Sequence, residues 1–260
     1  MSLWLRFDYQ GQIRIGVLEN NEVRLCHSED DHPFDNPLPS DETVKLSEVA
    51  LLTPCTPSKM IALWNNYAAL AEQNDLAHPS TPLYLFKPPN SFAGQNAIIR
   101  RPKFYQGEVF YEGELGIVIG KTVCNLDTTA DGNDAIFGYT CINDVTAFGL
   151  LKEYQGFDQW SRAKGFDGFG IFGPGIATHL DWHKLEIITR INGEIVQHYP
   201  ANDMILSPPD IVVKLSRDMT LYRGDVICCG TSVGLAAMPE DCNVEVEIAG
   251  IGCLKNRYQP

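Results

Sequence analysis

The sequence lacks the features that define several large classes of protein. Lysine and arginine number only 20 against 33 aspartate and glutamate residues, so the 260-residue chain has a net charge of −13. A chain this acidic is poorly suited to bind nucleic-acid phosphates or an anionic membrane surface. No apolar run approaches the roughly 20 residues of a membrane-spanning helix, and the opening residues, MSLWLRFDYQG, lack the pattern of a signal peptide. We therefore expect neither nucleic acid nor membrane as a partner.

The sequence also has no cysteine pair of the C-x-x-C type, although it contains eight cysteines. Several of them lie in apolar stretches such as ICCG at 227–230, and a chain of this length needs no disulfide framework to fold. This distribution indicates buried thiols in a reducing compartment, so we expect a cytoplasmic protein. No G-x-G-x-x-G motif opens a predicted helix, and no dinucleotide-binding fold is indicated.

The N-terminal part of the chain has an organisation of its own. Residues 3–26 alternate between apolar and polar and contain an Asn-Asn turn, which predicts a small antiparallel meander. Residues 27–43, HSEDDHPFDNPLPSDET, are acidic and proline-rich and predict an exposed loop. We therefore predict a small N-terminal β subdomain with an acidic linker over 1–54 and a larger domain over 55–260.

The larger region contains mostly strand signals. MIALW at 60–64 and GDVICCG at 224–230 predict buried strands, and Asn-Gly at 192–193 predicts a hairpin between two alternating runs. Helix signals are short, at 65–74 and at 207–217, where prolines open an amphipathic segment. The pattern favours a mainly β fold with short helices, in the α+β class, arranged as a mixed roll or sandwich.

The stretch YEGELGIVIGK, residues 111–121, places two carboxylates on an otherwise apolar strand. Residues i and i+2 of a strand face the same way, so Glu112 and Glu114 share a face. Two charges about 5 Å apart repel by roughly 3 kcal/mol at an effective dielectric constant near 20. In a half-buried position a cation, a shared proton or a basic partner must offset that repulsion. The alternative is a solvated strand end.

A third carboxylate, Asp144, ends the predicted strand YTCIND. Two glutamates and an aspartate supply only oxygen ligands, which suit Mg²⁺ or Mn²⁺ with positions left for water and substrate. No histidine or cysteine lies beside them to favour zinc. Spacing alone makes this a weak motif, and acidic residues on a solvated strand remain the alternative interpretation.

Two glycine-rich segments carry further candidates. Lys164 lies in WSRAKGFDGFGIFGP, residues 160–174, and could bind a substrate carboxylate or enolate oxygen. Thr231 lies in a Gly-Thr-Ser turn directly after a buried strand and could present its hydroxyl to an anion. Each segment has a plainer interpretation, a surface loop in the first case and a glycine turn in the second.

In their order along the chain, these segments resemble the catalytic domain of the fumarylacetoacetate hydrolase family over about residues 56–257. The resemblance rests on the motifs FKPP, YEGELGIVIGK, GYTCINDVTA, KGFDGFGIFGP, INGE, MTLYRGDVICCGTSVG and VEVEIAGIGCLKN. It implies a mixed β-sandwich roll of that family's type and a homodimer. It also implies one Mg²⁺ or Mn²⁺ per chain, bound by Glu112, Glu114 and Asp144.

The same resemblance implies further site residues. Lys164 matches the family's site lysine, with a catalytic and a substrate-binding role, and Thr231 matches its substrate-contacting turn. Lys87 falls on a family lysine near the site and is a further candidate substrate-binding residue. Four positions depart from the family: Leu70 and Gln73 stand where relatives carry a water-activating His-Glu pair, and Phe148 and Leu151 replace an Arg and a Gln. Glu72 is the nearest carboxylate to the missing pair and the candidate substitute base.

The resemblance therefore implies a divalent-metal enzyme that acts on a small carboxylic acid, a 2-oxo, β-keto or 2-hydroxydienoic acid, through a metal-stabilised enolate. Because a general base contributes roughly 10²–10⁴-fold, its absence favours isomerisation, tautomerisation or decarboxylation, as in the catabolism of aromatic compounds by a 2-hydroxyhepta-2,4-diene-1,7-dioate isomerase. The alternatives are a C–C bond hydrolase of the fumarylacetoacetase type and a non-catalytic relative that binds a metal or metabolite. A purely structural β protein with a solvated acidic strand is a third.

Overall fold

The computed structural model describes residues 1–28, 31–35 and 37–260, and the described chain forms twenty β-strands and four α-helices. The strands are β1 Ser2–Tyr9, β2 Gln12–Glu19, β3 Glu22–His27, β4 Leu38–Lys45, β5 Ala50–Leu51, β6 Met60–Trp64, β7 Leu83–Lys87, β8 Phe92–Ala93, β9 Ile98–Arg100, β10 Val109–Tyr111, β11 Gly113–Ile119, β12 Ile136–Asp144, β13 Thr146–Ala147, β14 Gly170–Thr178, β15 Glu186–Ile191, β16 Glu194–Pro200, β17 Val226–Cys228, β18 Ala236–Ala237, β19 Asn243–Ile248 and β20 Gly252–Gln259. The helices are α1 Ala68–Gln73, α2 Thr129–Ala135, α3 Trp160–Lys164 and α4 Pro208–Asp218.

A large mixed sheet forms the frame of the molecule. Its strand order is β4-β3-β2-β1-β14-β12-β11-β17-β6-β7, with β5 added to β1 and β8 added to β14. Strands β11 and β12 run antiparallel at its centre, whereas β17 and β6 are parallel. All seven residues of β11 are buried, which explains its run of leucine, isoleucine and valine. This central pair carries the acidic residues discussed below.

A five-stranded sheet, β16-β15-β19-β20-β9, packs on the large one, mainly through β19 and β20 against β12 and β14. The main hydrophobic core fills the space between them, with Leu115 and Ile117 from β11 against Ile187, Val246 and Leu254 from the smaller sheet. The described helices are short, and the longest, α4, is capped by Ser207 with prolines in its first turn. The predicted mainly β fold with short helices, a mixed sandwich-like roll, is confirmed.

The N-terminal meander is confirmed and extends the large sheet. Strands β1, β2 and β3 pair antiparallel in sequence order, and β1 also pairs with β14 through the register Leu3↔Ala177. The expectation of a loop over 27–43 is wrong for its second half, because β4 pairs along β3 while keeping most of its side chains exposed. Glu29, Asp30 and Asn36 of that segment lie outside the described residues.

Strand β14 was not predicted from the sequence. It begins within the glycine-rich segment 160–174 that also contains Lys164 and continues to Thr178, and all nine of its residues are buried. Its glycines serve close packing: a Cβ at Gly175 would lie 2.5 Å from the carbonyl oxygen of Trp4 in the neighbouring strand β1. Among the described residues, no helix has both the length and the apolar composition that crossing a bilayer requires.

Candidate metal centre and substrate cavity

The structure brings the three predicted acidic ligands together. Glu112 lies between β10 and β11, Glu114 is the second residue of β11, and Asp144 is the last residue of β12. Antiparallel pairing of β11 with β12 places the start of one strand beside the end of the other, and the Asp144 amide donates to the Glu112 carbonyl oxygen at 2.9 Å. One carboxylate oxygen from each of the three residues lies within 4.8 Å of the other two.

Two buried lysines neutralise part of this cluster. Lys164, at the end of α3, donates to Glu112 Oε1 at 2.8 Å, to Asp144 Oδ2 at 2.6 Å and to Thr146 Oγ1 at 2.7 Å. Lys87, at the end of β7, donates to Asp144 Oδ1. The structure thus places both predicted lysines in the cluster. Three acceptors engage all three N–H groups of Lys164.

The electrostatic environment differs among these groups. Burial raises the pKa of Glu112, and it raises the pKa of Glu114 further, where the carboxylates of Asp144 and Glu112 add to the effect. Burial opposes the charge of Asp144, but Lys164 and Lys87 outweigh it and hold the pKa of Asp144 below its usual range. The pKa of Lys164 is raised because Asp144 and Glu112 outweigh its burial, whereas burial lowers the pKa of Lys87.

The donor set fits a divalent cation. Glu114 Oε2 accepts the amide of Gly230 at 2.8 Å, but Glu114 Oε1 is buried without any hydrogen-bond partner. Leaving a buried charged oxygen unpaired costs several kcal/mol unless a cation or proton satisfies it. Three carboxylates face two ammonium groups, so one negative charge is uncompensated. Oxygen-only ligands with a surplus of negative charge are what Mg²⁺ and Mn²⁺ prefer.

A cavity opens directly above this cluster. Glu112 and Lys164 form its floor, and Thr231 lies at its side. The rest of its lining is mostly apolar and comes from β6, α1, β7, the turn after β13, α3 and the loops beside these elements and before β18. These lining residues are Leu63, Trp64, Asn65, Leu70, Asn74, Leu76, Leu85, Phe148, Leu151, Trp160 and Leu235. A small acid in this cavity would meet charged groups at the floor and hydrocarbon elsewhere.

Thr231 is fixed by a residue that sequence reasoning missed. Buried Gln197 donates from Nε2 to Thr231 Oγ1 at 2.9 Å, and its Oε1 accepts from the Gly113 amide at 3.1 Å and from Thr189 at 2.9 Å. Gln197 therefore ties the Thr231 turn to the first residue of the carboxylate strand. The signal available in the sequence was its period-two relation to Tyr199 in β16, which gives both side chains the same inward face.

The structure does not bring Glu72 to the cavity. Leu70 lines it, but Glu72 and Gln73 are exposed on α1 and are not among the lining residues. Phe148 and Leu151, the other departures from the family pattern, both line the cavity. Glu72 therefore does not occupy the place of a substitute base, and no other described carboxylate or histidine in the cavity wall takes it.

Fold and site together define a class: a mixed β protein with a buried carboxylate cluster that fits a divalent cation, beneath a mostly apolar cavity. The chain belongs to the fumarylacetoacetate hydrolase family, because the family model described as "Fumarylacetoacetate (FAA) hydrolase C-terminal" matches residues 59–259. A second model, described as "Rv2993c-like, N-terminal", matches residues 3–54.

Individual relatives support this membership. An uncharacterized protein of Archaeoglobus fulgidus is 42% identical over 214 residues, which cover 82% of this chain and 83% of the relative. The oxaloacetate tautomerase YisK of Bacillus subtilis is 33% identical over 84% of this chain and 77% of its own. A crystal structure of 5-carboxymethyl-2-hydroxymuconate delta-isomerase from Mycobacterium smegmatis superposes with a TM-score of 0.89 at 33% identity, covering 100% of this chain and 99% of that one.

Proposed function

We propose that the protein is a divalent-metal-dependent enzyme that moves a proton between carbon and oxygen of a 2-oxo acid, as an isomerase or tautomerase working through an enolate. The observation that carries this proposal is the pairing of an acidic cluster that fits a cation with a cavity whose described lining residues include no unengaged base. Glu112, Glu114 and Asp144 would hold Mg²⁺ or Mn²⁺ at the floor. The bound cation would act as a Lewis acid that stabilises negative charge on the substrate oxygens.

The chain's own residues have distinct parts in this proposal. Lys164 borders both the acidic cluster and the cavity, and its ammonium group would bind the substrate carboxylate or the enolate oxygen. The Thr231 hydroxyl accepts from Gln197 and donates to the Gly113 carbonyl oxygen, and it would turn its proton to the same carboxylate when the substrate binds. Lys87 contacts Asp144 beneath the floor and is absent from the cavity lining, so its part is to position Asp144.

The reaction needs no water as reactant. A C–H bond at C3 breaks, its proton passes to solvent in the open cavity, and a proton is added to the C2 oxygen, or the reverse, so atoms and electrons balance. Among the described lining residues only Glu112 and Lys164 titrate near the floor, and both are engaged with each other at 2.8 Å. Neither is free to activate a water molecule as nucleophile, which C–C bond hydrolysis requires, whereas in enolisation solvent water can accept the C3 proton once the oxygens are polarised.

Two of the relatives support the same choice. One is named an oxaloacetate tautomerase and another a delta-isomerase, and both names describe proton movement within a 2-oxo or 2-hydroxydienoic acid. The expected homodimer remains a prediction. The division of the chain between residues 54 and 55 also remains a prediction, and β1 is hydrogen-bonded to β14 across that division.

Deuterium exchange tests the proposed function. Pyruvate and oxaloacetate would be incubated in D₂O with the protein and Mn²⁺ or Mg²⁺, and exchange at C3 would be followed by proton NMR, with acylpyruvate cleavage followed in parallel. We expect metal-dependent exchange well above the metal-only background and little cleavage. Metal-dependent cleavage faster than exchange would instead establish a hydrolase, and neither reaction with saturable metal binding would establish a non-catalytic relative.

A further inference from the structure

We propose that the substrate of this cavity is a 2-oxo acid with a single carboxylate and an apolar substituent, branched-chain or aromatic, rather than a dicarboxylic acid. This inference rests on the proposed function, since it assigns a substrate class to the same site. It follows from what surrounds the charged floor.

The wall opposite the floor is built from hydrocarbon. Six apolar side chains from several parts of the chain line it: Leu70, Leu76, Leu85, Phe148, Leu151 and Trp160. A substituent that extends away from the floor must contact these groups, and each apolar surface that it covers is removed from water.

The described wall offers no cation to a second carboxylate. Lys164 is the one lysine, arginine or histidine among the described lining residues, and it is bound to Glu112 and Asp144 at the floor. Nearby cations are paired outside the cavity, Arg162 with Glu153 and Lys152 with Asp158. A distal carboxylate would therefore lose its hydration without gaining a charged partner, which is unfavourable.

The polar residues of the wall do not change this conclusion. The Asn65 side-chain amide donates to the carbonyl oxygen of Ala77 at 3.0 Å, and that of Asn74 donates to the carbonyl oxygen of Leu70 at 2.9 Å. These bonds fix the two side chains within their own loop and helix. Neither residue supplies the charge that a distal carboxylate needs.

Phe148 gives the wall an aromatic surface at the mouth. Its ring stacks on Phe110 with centroids 4.8 Å apart and an interplanar angle of 29°, yet 48% of the residue is exposed. A ring held on one face and open on the other is suited to pack against an aromatic or branched substituent.

The test compares two acids of similar size that differ in the charge of the distal group, 4-methyl-2-oxopentanoate and 2-oxoglutarate. Binding to the Mn²⁺-loaded protein would be measured by calorimetry, and exchange at C3 by NMR. We expect the branched acid to bind at least tenfold more tightly and to exchange faster. Equal or tighter binding of 2-oxoglutarate overturns the inference. Preferential binding of the branched acid without any exchange would support the inference while overturning the proposed function.

Matched variants locate the preference in the wall. Phe148→Lys and Leu70→Lys place a cation at the mouth, and we expect each to lower the ratio of the two affinities at least tenfold toward 2-oxoglutarate. Tyr154→Lys is the control, because Tyr154 is 68% exposed on the same loop as Phe148, is not among the lining residues and gains the same charge. An equal shift in the control would overturn the inference. If Phe148→Lys fails to fold, Leu70→Lys on the short helix α1 decides the question.

Discussion

Two buried clusters in this protein contain carboxylates paired with lysine, but they differ in whether the protein satisfies every carboxylate oxygen. One is the acidic cluster of the cavity floor, where Glu114 is buried with one oxygen unpartnered. The other surrounds Asp225, which directly precedes β17 and is 0% exposed. The two lie toward opposite ends of β17, since Gly230, just beyond it, donates to Glu114.

Asp225 is fully satisfied by the protein. Its Oδ1 accepts from the Ser58 hydroxyl at 2.6 Å and from the Lys59 amide at 3.2 Å, and its Oδ2 accepts from the Tyr222 amide at 2.8 Å and from Lys59 Nζ. Four donors, one of them a cation, match the capacity of a single carboxylate. Nothing in this arrangement calls for a further ligand, and Asp225 is a structural residue.

The contrast teaches how to separate function from structure among buried acids. Both clusters contain a lysine–aspartate ion pair, so burial and pairing alone do not distinguish them. What distinguishes them is the balance of charge and of donors. In the Asp225 cluster the charges cancel and every carboxylate oxygen has donors. The cluster at the cavity floor has more negative than positive formal charge, a Glu114 oxygen without a hydrogen-bond partner, and contact with a cavity.

The largest expected effect that tests this contrast is that of Glu114→Gln. The substitution should weaken Mn²⁺ binding about a thousandfold or more, roughly 4 kcal/mol, and abolish metal-dependent exchange. The glutamine oxygen can still accept from Gly230, and its NH₂ group can donate to the neighbouring carboxylates, so the metal-free protein should unfold at the same or a higher temperature. Calorimetric titration and thermal unfolding check both statements. Unchanged Mn²⁺ affinity would contradict the assignment of Glu114 as a ligand.

The second prediction reverses that pattern at the other cluster. Asp225→Asn should lower the free energy of unfolding by about 2–4 kcal/mol, because the new NH₂ group faces the donors of Lys59 or Tyr222. Denaturant unfolding measures this change. The folded variant should bind Mn²⁺ with unchanged affinity, and excess Mn²⁺ at a hundred times Kd should raise its stability by about 2.7 kcal/mol, as in the parent. Loss of Mn²⁺ binding in this variant would contradict the conclusion that the Asp225 cluster is structural and separate from the metal site.

The smallest expected effect is that of Lys59→Met. Its side chain is 19% exposed, and Asp225 retains three other donors after the change. Methionine preserves much of the stem's apolar contact, and the three remaining donors together with the partial exposure of the position limit the cost of leaving Asp225 without its cation. We expect the free energy of unfolding to fall by about 1–2 kcal/mol, less than for Asp225→Asn. Equilibrium unfolding in urea, with Asp225→Asn beside it, ranks the two. A larger loss from Lys59→Met than from Asp225→Asn would show that the ion pair, rather than the full set of donors, stabilises this cluster.

Part of the acidic cluster could be predicted from the sequence, because two of its three carboxylates are neighbours on one strand. Period two puts Glu112 and Glu114 on one face, and the strand signal ends at Asp144. The resemblance to a known family implied that the three acids share one cation, and the pairing of β11 with β12 that unites them is seen only in the structure. The proximity of Lys87 and Lys164 also came from the resemblance, since no local pattern links residues that lie 57 and 20 positions from Asp144.

Other parts of the site depended on three-dimensional detail. Residues advance about 100° each around an α-helix, so Glu72 points some 200° away from Leu70, which faces the cavity. Strand β14 was not predicted because it contains several glycines and a proline, and these residues are depleted in strands unless close packing requires them. Gln197 belongs to the other sheet, and its link to Thr231 depends on how the sheets pack.

The pairing of β1 with β14 has a practical consequence for anyone dividing the chain. A fragment that begins after residue 54 would leave the Thr178 end of β14 with a row of unsatisfied amide and carbonyl groups. Exposed strand edges of that kind can pair with further copies of the chain, so we expect such a fragment to aggregate more readily than the whole protein. Residues 2–4 thus cover the end of β14, and binding and activity are best measured on the undivided chain.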